Sequence, residues 1–266
     1  MSVCRLKESR WWGSLYPGAN PGILEQMPRI AVLGGTGPEG SGLALRFALA
    51  GEPVIIGSRR QERAEETARL LNARLARFAA APVEAAANAA AARAADVVTL
   101  ALPFAGIDPL LTELAPELRG KILLDVVNPL QLSDGLFTVV PVPEGSAAER
   151  IQQRVPEAAV VSALKNRSAK ELTELHQPLQ GDTLLCSDVP EAARAVAALV
   201  NSLRRLRVVD VGSLRNARHV ESLTALLLNL NRRYRTNTSV QILGLKMPQA
   251  GSAAESALTQ PGRTSR

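Results

Sequence analysis

The chain is poor in cysteine and aromatic residues, and it has no long apolar run. Its 266 residues include 2 Cys, 2 Trp, 2 Tyr and 4 Phe. Cys4 and Cys186 stand far apart, which gives neither a disulfide framework nor the paired spacing of a metal site. No metal is expected, and a reducing cytoplasm is the simplest setting. No apolar stretch approaches the roughly 18–20 residues that span a bilayer, so no membrane role is expected. Nucleic acid is disfavoured as well. The net charge of +6 comes from basic residues mostly spread among acids, with no aromatics interleaved for base stacking. The densest basic cluster, Asn231–Arg235, ends a leucine-rich helical pattern, where cations complement the helix dipole.

Motifs for acid–base or nucleophilic catalysis are scarce too. His176 and His219 are far apart, and neither belongs to a Ser or Cys motif, so both read as structural. Tyr16 is followed four residues on by Asn20, and Tyr234 by Thr238, which excludes a Tyr-x-x-x-Lys dehydrogenase. No catalytic side chain is assigned. That poverty suits hydride transfer between two organic cofactors, which needs positioning and exclusion of water more than a side-chain acid.

What the chain does have is an alternation of short β-branched runs with alanine- and leucine-rich helical ones. Six strands are expected at 29–34, 53–57, 81–86, 96–103, 121–129 and 158–165, with helices between them. Buried strands joined by helices imply a parallel, doubly wound Rossmann-type α/β sheet. Two looser strands follow at 182–188 and 207–212, then a long helix over 213–234. That helix is apolar nearly all round in its middle, so it must be buried in the chain's own core or against a second copy. The expected organisation is a loose extension (1–26), a dinucleotide-binding domain (27–156), a smaller substrate or dimerisation domain (157–246) and a disordered tail (247–266). A functional start near Met27 accords with the lack of periodicity before it.

The segment Gly35-Thr36-Gly37-Pro38-Glu39-Gly40 matches G-x-G-x-x-G between a strand and a helix. Here Gly35 is expected to make the tight turn, Gly37 to let the backbone approach a pyrophosphate, and Gly40 to let helix and strand pack closely. A nucleotide triphosphatase loop would continue with Lys-Ser/Thr, whereas this chain continues with Ser41-Gly42. The next strand ends in Ser58-Arg59-Arg60, without the acid that would accept hydrogen bonds from an NAD ribose. Ser58 and Arg59 supply donors suited to the 2′-phosphate of NADP, and Arg63 lies one helical turn further on. Arg60 is a second-rank candidate. The ends of the fourth to sixth strands, at Leu102-Pro103, Asn128-Pro129 and Leu164-Lys165-Asn166, surround the expected nicotinamide position. Lys165 and Asn166, with Asn128 and Pro129, are therefore candidates for a substrate pocket.

The segments 29–60 (RIAVLGGTGPEGSGLALRFALAGEPVIIGSRR), 160–166 (VVSALK and Asn166) and 210–231 (DVGSLRNARHVESLTALLLNLN) resemble the NADPH-dependent coenzyme F420 reductases, in the same order. The resemblance runs from about residue 29 to 246. It implies a dimeric enzyme that exchanges hydride between NADP(H) and coenzyme F420, an 8-hydroxy-5-deazaflavin. It also implies NADP contacts at Thr36, Gly37, Pro38, Glu39, Ser58, Arg59, Arg63, Leu102 and Ala169. Archaeal members tend to carry histidine and proline where this chain has Lys165 and Ser168. The alternatives are an NADPH-dependent reductase of another acceptor, such as a flavin or ferric chelate, and a non-catalytic NADP-binding module.

Overall fold

A computed structural model describes residues 28–203 and 205–245. The extension before Met27 and the tail after 246, with Cys4, lie outside the described residues. A six-stranded parallel sheet forms the centre, from β1 (Ile30–Leu33), β2 (Val54–Ser58), β3 (Val83–Ala87), β4 (Val97–Leu100), β5 (Ile122–Asp125) and, later in the chain, Ala159–Ser162. The order runs β3, β2, β1, β4, β5 and then Ala159–Ser162. Chain order reverses between β1 and β4. In open α/β sheets a ligand crevice opens at such a switch point, beyond the carboxyl ends of the strands.

Alternation along the strands explains the two covered faces. Val32, Ile56 and Val161 join one apolar cluster with Leu43 and Phe47 of α1 (Pro38–Leu49) and Leu71 of α2 (Gln61–Leu75). Ala31, Leu33, Ile55 and Val160 join a second cluster on the other face. There they meet α3 (Asn88–Ala94), α4 (Ile107–Leu118) and α5 (Ala147–Arg154). Strands buried on both faces read as near-continuous apolar runs, which is why their positions were legible in the sequence.

Between β5 and α5 the chain forms an antiparallel hairpin, β6 (Leu130–Ser133) and β7 (Leu136–Val139). The sequence pattern suggests only a loop there, because most of the hairpin's side chains face solvent. Strand β8 (Ala159–Ser162) closes the large sheet, so that sheet extends past residue 156. After the short helix α6 (Ala169–Thr173) come β9 (Asp182–Leu185), α7 (Pro190–Asn201), β10 (Arg207–Asp210) and α8 (Ala217–Tyr234). Strands β9 and β10 pair in parallel, and an antiparallel bridge between Ser162 and Cys186 joins them to the end of β8. Val196, Leu199 and Val200 of α7 enter the same apolar cluster as the face of the main sheet. The later elements thus pack onto the first core.

The buried Asp182 ties this region to the chain after α8. Its carboxylate accepts two hydrogen bonds from Arg207, at 2.6 and 2.5 Å, and one from the Ile242 N–H at 2.6 Å. Burial opposes the charge on Asp182, but these bonds and the Arg207 and Arg167 charges outweigh it and hold the carboxyl below its ordinary range. Removing Arg207 leaves a buried carboxylate short of partners. We expect Arg207→Ala to lower stability by about 2–3 kcal/mol in urea denaturation at neutral pH, given the partial exposure of Arg207. The difference from the parent protein should narrow as pH falls below the ordinary aspartate range, since the pair's contribution is lost on protonation.

Candidate functional site

The site begins where β1 ends. Gly34 has φ of +80°, a conformation that favours glycine. A Cβ there would collide with the backbone of Ala101 just beyond β4, so Gly34 closes the crevice tightly against β4. The tight turn expected at Gly35 is therefore made one residue earlier. Gly35 is needed for a different reason: a Cβ would meet Ile56 of β2 at 2.6 Å. Gly40 presses the first turn of α1 against Gly34 and Gly35, as its close-packing role requires. Gly37 caps α1 with no side-chain cap, and Pro38 takes the first helical position, where its missing N–H costs nothing.

These features fit a dinucleotide. Only the Gly34 carbonyl, at 3.4 Å, lies near the place a Cβ on Gly37 would take, so the loop backbone is open to a phosphate. The N–H groups of the first turn have no acceptor within the helix and point to the same place. Ser41 donates from Oγ to the Gly35 carbonyl at 2.8 Å and holds the loop.

Ser58 is the buried last residue of β2, and its Oγ accepts the Arg60 N–H at 3.3 Å. Its hydroxyl hydrogen remains available to a ligand. Arg59, Arg60 and Arg63 are exposed at the start of α2 and form no ion pair among the described residues. Three cations gathered at the positive end of a helix, without partners, suit a polyanion.

Leu102 is half-buried and Pro103 exposed, after β4. Asn128 is half-buried beyond β5, its Nδ2 donating to the Lys165 carbonyl at 3.0 Å, while its buried Oδ1 has no donor. An orphaned acceptor at the carboxyl edge of the sheet fits a carboxamide donor such as that of nicotinamide. Pro129 is buried beside it. Ala169, distant in sequence, begins α6, which lies against α1. Gly42 of α1 has no room for a Cβ because Leu172 lies 2.6 Å from its place. Arg46, buried near the end of α1, donates to the carbonyls of Leu172, Glu171 and Glu174. These contacts pack α6, which begins at Ala169, against α1.

The sequence places Lys165 and Asn166 at a pocket, but in the fold both side chains turn inward. Leu164 adopts φ of +59°, and the Lys165 side chain is wholly buried. Its Nζ lies 2.7 Å from Asp125 Oδ2 and 3.1 Å from Glu221 Oε1, and it donates to the Val127 carbonyl. Burial disfavours the ammonium, yet the two carboxylates outweigh this and hold its pKa above the ordinary lysine value. Asn166 donates to the Asp182 carbonyl at 2.8 Å. Sequence reasoning assigned neither Asp125 nor Glu221 to the site, although Glu221 lies in the 210–231 segment that carries the resemblance. The one signal was an acid in the otherwise apolar fifth strand.

Other chemistry-bearing residues stand apart. Cys186 is buried, and desolvation pushes its thiol up to about 12, which leaves it unreactive. His176 packs with its ring tilted against Phe78, far from the glycine loop in the sequence, and His219 is exposed on α8. No cluster of three metal-ligating side chains occurs among the described residues, and no helix there is long and apolar enough to cross a membrane.

Residues 29–129 match the family model described as NADP oxidoreductase coenzyme F420-dependent. The chain is 40% identical over 228 residues to the F420-dependent NADP reductase of Methanothermobacter thermautotrophicus, covering 84% of this chain and 98% of that protein. It belongs to the F420-dependent NADP reductase family. It is also 37% identical over 223 residues to the F420-dependent NADP reductase of Methanocaldococcus jannaschii, covering 82% of this chain and all of that one. In structure it is similar to a candidate F420-dependent NADP reductase from Arthrobacter sp. FB24, with a TM-score of 0.69 and 30% identity. That alignment spans 82% of this chain and 100% of the other.

Within this family member, the Asp125–Lys165–Glu221 cluster is the principal buried polar tie at the carboxyl edge. Replacing Lys165 by Met strands two buried carboxylates, which we expect to cost about 3–5 kcal/mol. Burial already raises the Glu221 carboxyl, so acid should relieve the variant by protonating it. The loss measured by urea denaturation should be smaller at about pH 5 than at about pH 8.

Proposed function

We propose that this protein is an oxidoreductase that transfers a hydride between NADP(H) and coenzyme F420, working as a homodimer in the cytoplasm. The observation that carries the cofactor assignment is the unpaired basic cluster of Arg59, Arg60 and Arg63 beside the buried Ser58, at the tip of β2. Family membership supports the deazaflavin as the second partner.

In this reading, Thr36 to Gly40 hold the pyrophosphate through backbone N–H groups at the start of α1. Ser58, Arg59 and Arg63 bind the 2′-phosphate. Leu102, Pro103 and Ala169 line the nicotinamide half, and Asn128 orients the carboxamide through its free Oδ1. Bound NADPH supplies the hydride, and the deazaflavin accepts it. The protein contributes orientation and a dry crevice, with no side chain needed to relay a proton to carbon. Pro129, Lys165 and Asn166 shape the acceptor side from behind. Residues 157–246 would then serve the acceptor and the second subunit. Leu132 and Leu136 of the hairpin and Leu226 of α8 are each more than half exposed. Asn229 joins the two elements by exchanging hydrogen bonds with the Phe137 backbone at 2.8 and 2.9 Å. An exposed apolar surface of this kind supports burial against a second copy.

Mixing the purified protein with NADPH and coenzyme F420 should bleach the deazaflavin absorbance. An unchanged spectrum, with NADPH consumed in the presence of a flavin or ferric chelate, would instead select another acceptor. Arg59→Ala should weaken NADPH binding about 10- to 100-fold, the loss of one charge-assisted bond, while NADH binding stays the same. Equal losses for both would remove the 2′-phosphate assignment.

A further inference from the structure

The carboxyl ends of α1, α2 and α7 meet the segment after α6 around a cleft of about 690 Å³. It lies at the other end of these helices from the cofactor crevice. The 12 residues of α1 put roughly 18 Å between its glycine-loop end and its cleft end. Leu49, Leu175 and Leu203 give the cleft apolar walls, and Phe78 and His176 add an aromatic pair with ring centroids 5.6 Å apart. The charged lining has one sign. Arg46 is only 5% exposed and forms no ion pair among the described residues. Its Nε and Nη2 donate to the carbonyls of Leu172, Glu171 and Glu174, whereas Nη1 has no partner there. Arg205 also lines the cleft, exposed and without a hydrogen bond or ion pair among the described residues. Arg77 adds a third guanidinium over the Phe78 ring, 5.4 Å from its centroid. No acid belongs to the lining among the described residues. Of the acids around Arg46, Glu171 pairs with Arg167 and Glu174 with Lys170, while Glu52, three residues past α1, does not line the cleft.

A guanidinium withdrawn from water is costly unless acceptors satisfy its donors, and a neutral carbonyl offsets less of its charge than an anion does. A volume of this size falls in the range of small-molecule sites, which pair apolar walls with a few placed polar groups. Arginine forks match the oxygens of a carboxylate or phosphate, and the leucines with the aromatic pair match a ring. We propose that this cleft is a second ligand site, for a small aromatic carboxylate or phosphate whose acid group lies between Arg46 and Arg205 and whose ring lies among Phe78, His176 and the leucines. Hydride transfer uses none of these residues, and the site stands independently of the cofactor reading. The acid group supplies the acceptor that Arg46 Nη1 lacks within the protein. The ring displaces water from walls that are otherwise exposed to it.

The chain has 2 His, so proton NMR can follow each imidazole: His176 reports on the cleft, and His219 on α8 is the internal control. Phenyl phosphate and benzoate are titrated separately into the full chain, with saturating 2′,5′-ADP present to occupy the basic tip of β2. At least one probe should shift the His176 resonance saturably while His219 stays fixed. That probe should bind at least about 10-fold more tightly than inorganic phosphate, which lacks the ring, and benzyl alcohol, which lacks the charge. Arg205→Asn keeps a residue that tolerates the left-handed backbone at φ of +65°, and it should weaken the probe about 10-fold through loss of one charge-assisted bond. Ala79→Trp, at an exposed lining position, should fill the cleft and abolish the response. No saturable His176 shift with either probe would overturn the proposal, as would a shift shared by His219. So would an affinity matched by inorganic phosphate or benzyl alcohol, or a response that either variant leaves unchanged.

Discussion

The ammonium of Lys165 holds the functional edge of this protein together. It joins Asp125 at the end of β5, Glu221 near the start of α8 and the Val127 carbonyl, and Glu221 in turn accepts from the first N–H of α5. Four segments that are remote in sequence thereby meet at one buried point. The Lys165 carbonyl extends the tie by accepting from Asn128 and from Thr224 of α8. Such a cluster is a costly way to gain stability, because each charge must be desolvated. Its effect is to leave the loops after β5 and β8 one arrangement, set beside the crevice at the switch point.

On the other side of that crevice, control is steric rather than ionic. Gly34, Gly35 and Gly40 each lack a side chain because a neighbouring backbone or side chain already fills the space. Gly37 differs in having room. That contrast separates the glycines that build the turn from the one that leaves the ligand its place. The basic tip of β2 completes the surface with cations that find no partner within the protein.

Much of the fold was legible in the sequence. The doubly wound sheet could be read because buried parallel strands are short, continuous apolar runs, and the helices between them keep an apolar face. The glycine loop and Ser58-Arg59 were readable because local conformation and local charge are written in adjacent residues. The hairpin of β6 and β7 was not, since its side chains are largely exposed and lack a strong alternation. The turn glycine was misplaced by one residue: the clash that requires Gly34 comes from Ala101, which sequence alone cannot bring next to it.

By itself, the sequence determined the class of fold, the cofactor loop and the positive tip that faces a phosphate, because each depends on residues close together along the chain. Only the tertiary structure decided what Lys165 does. At the end of a strand it reads as a pocket residue, and its burial between Asp125 and Glu221 follows from the approach of α8 to the sheet. The same holds for α6, which begins at Ala169 and packs on α1 through Leu172 and Gly42. It holds too for Glu39, an ordinary first-turn acid in the sequence. Burial raises its carboxyl to about 7, and desolvation is a property of the folded neighbourhood rather than of the residue.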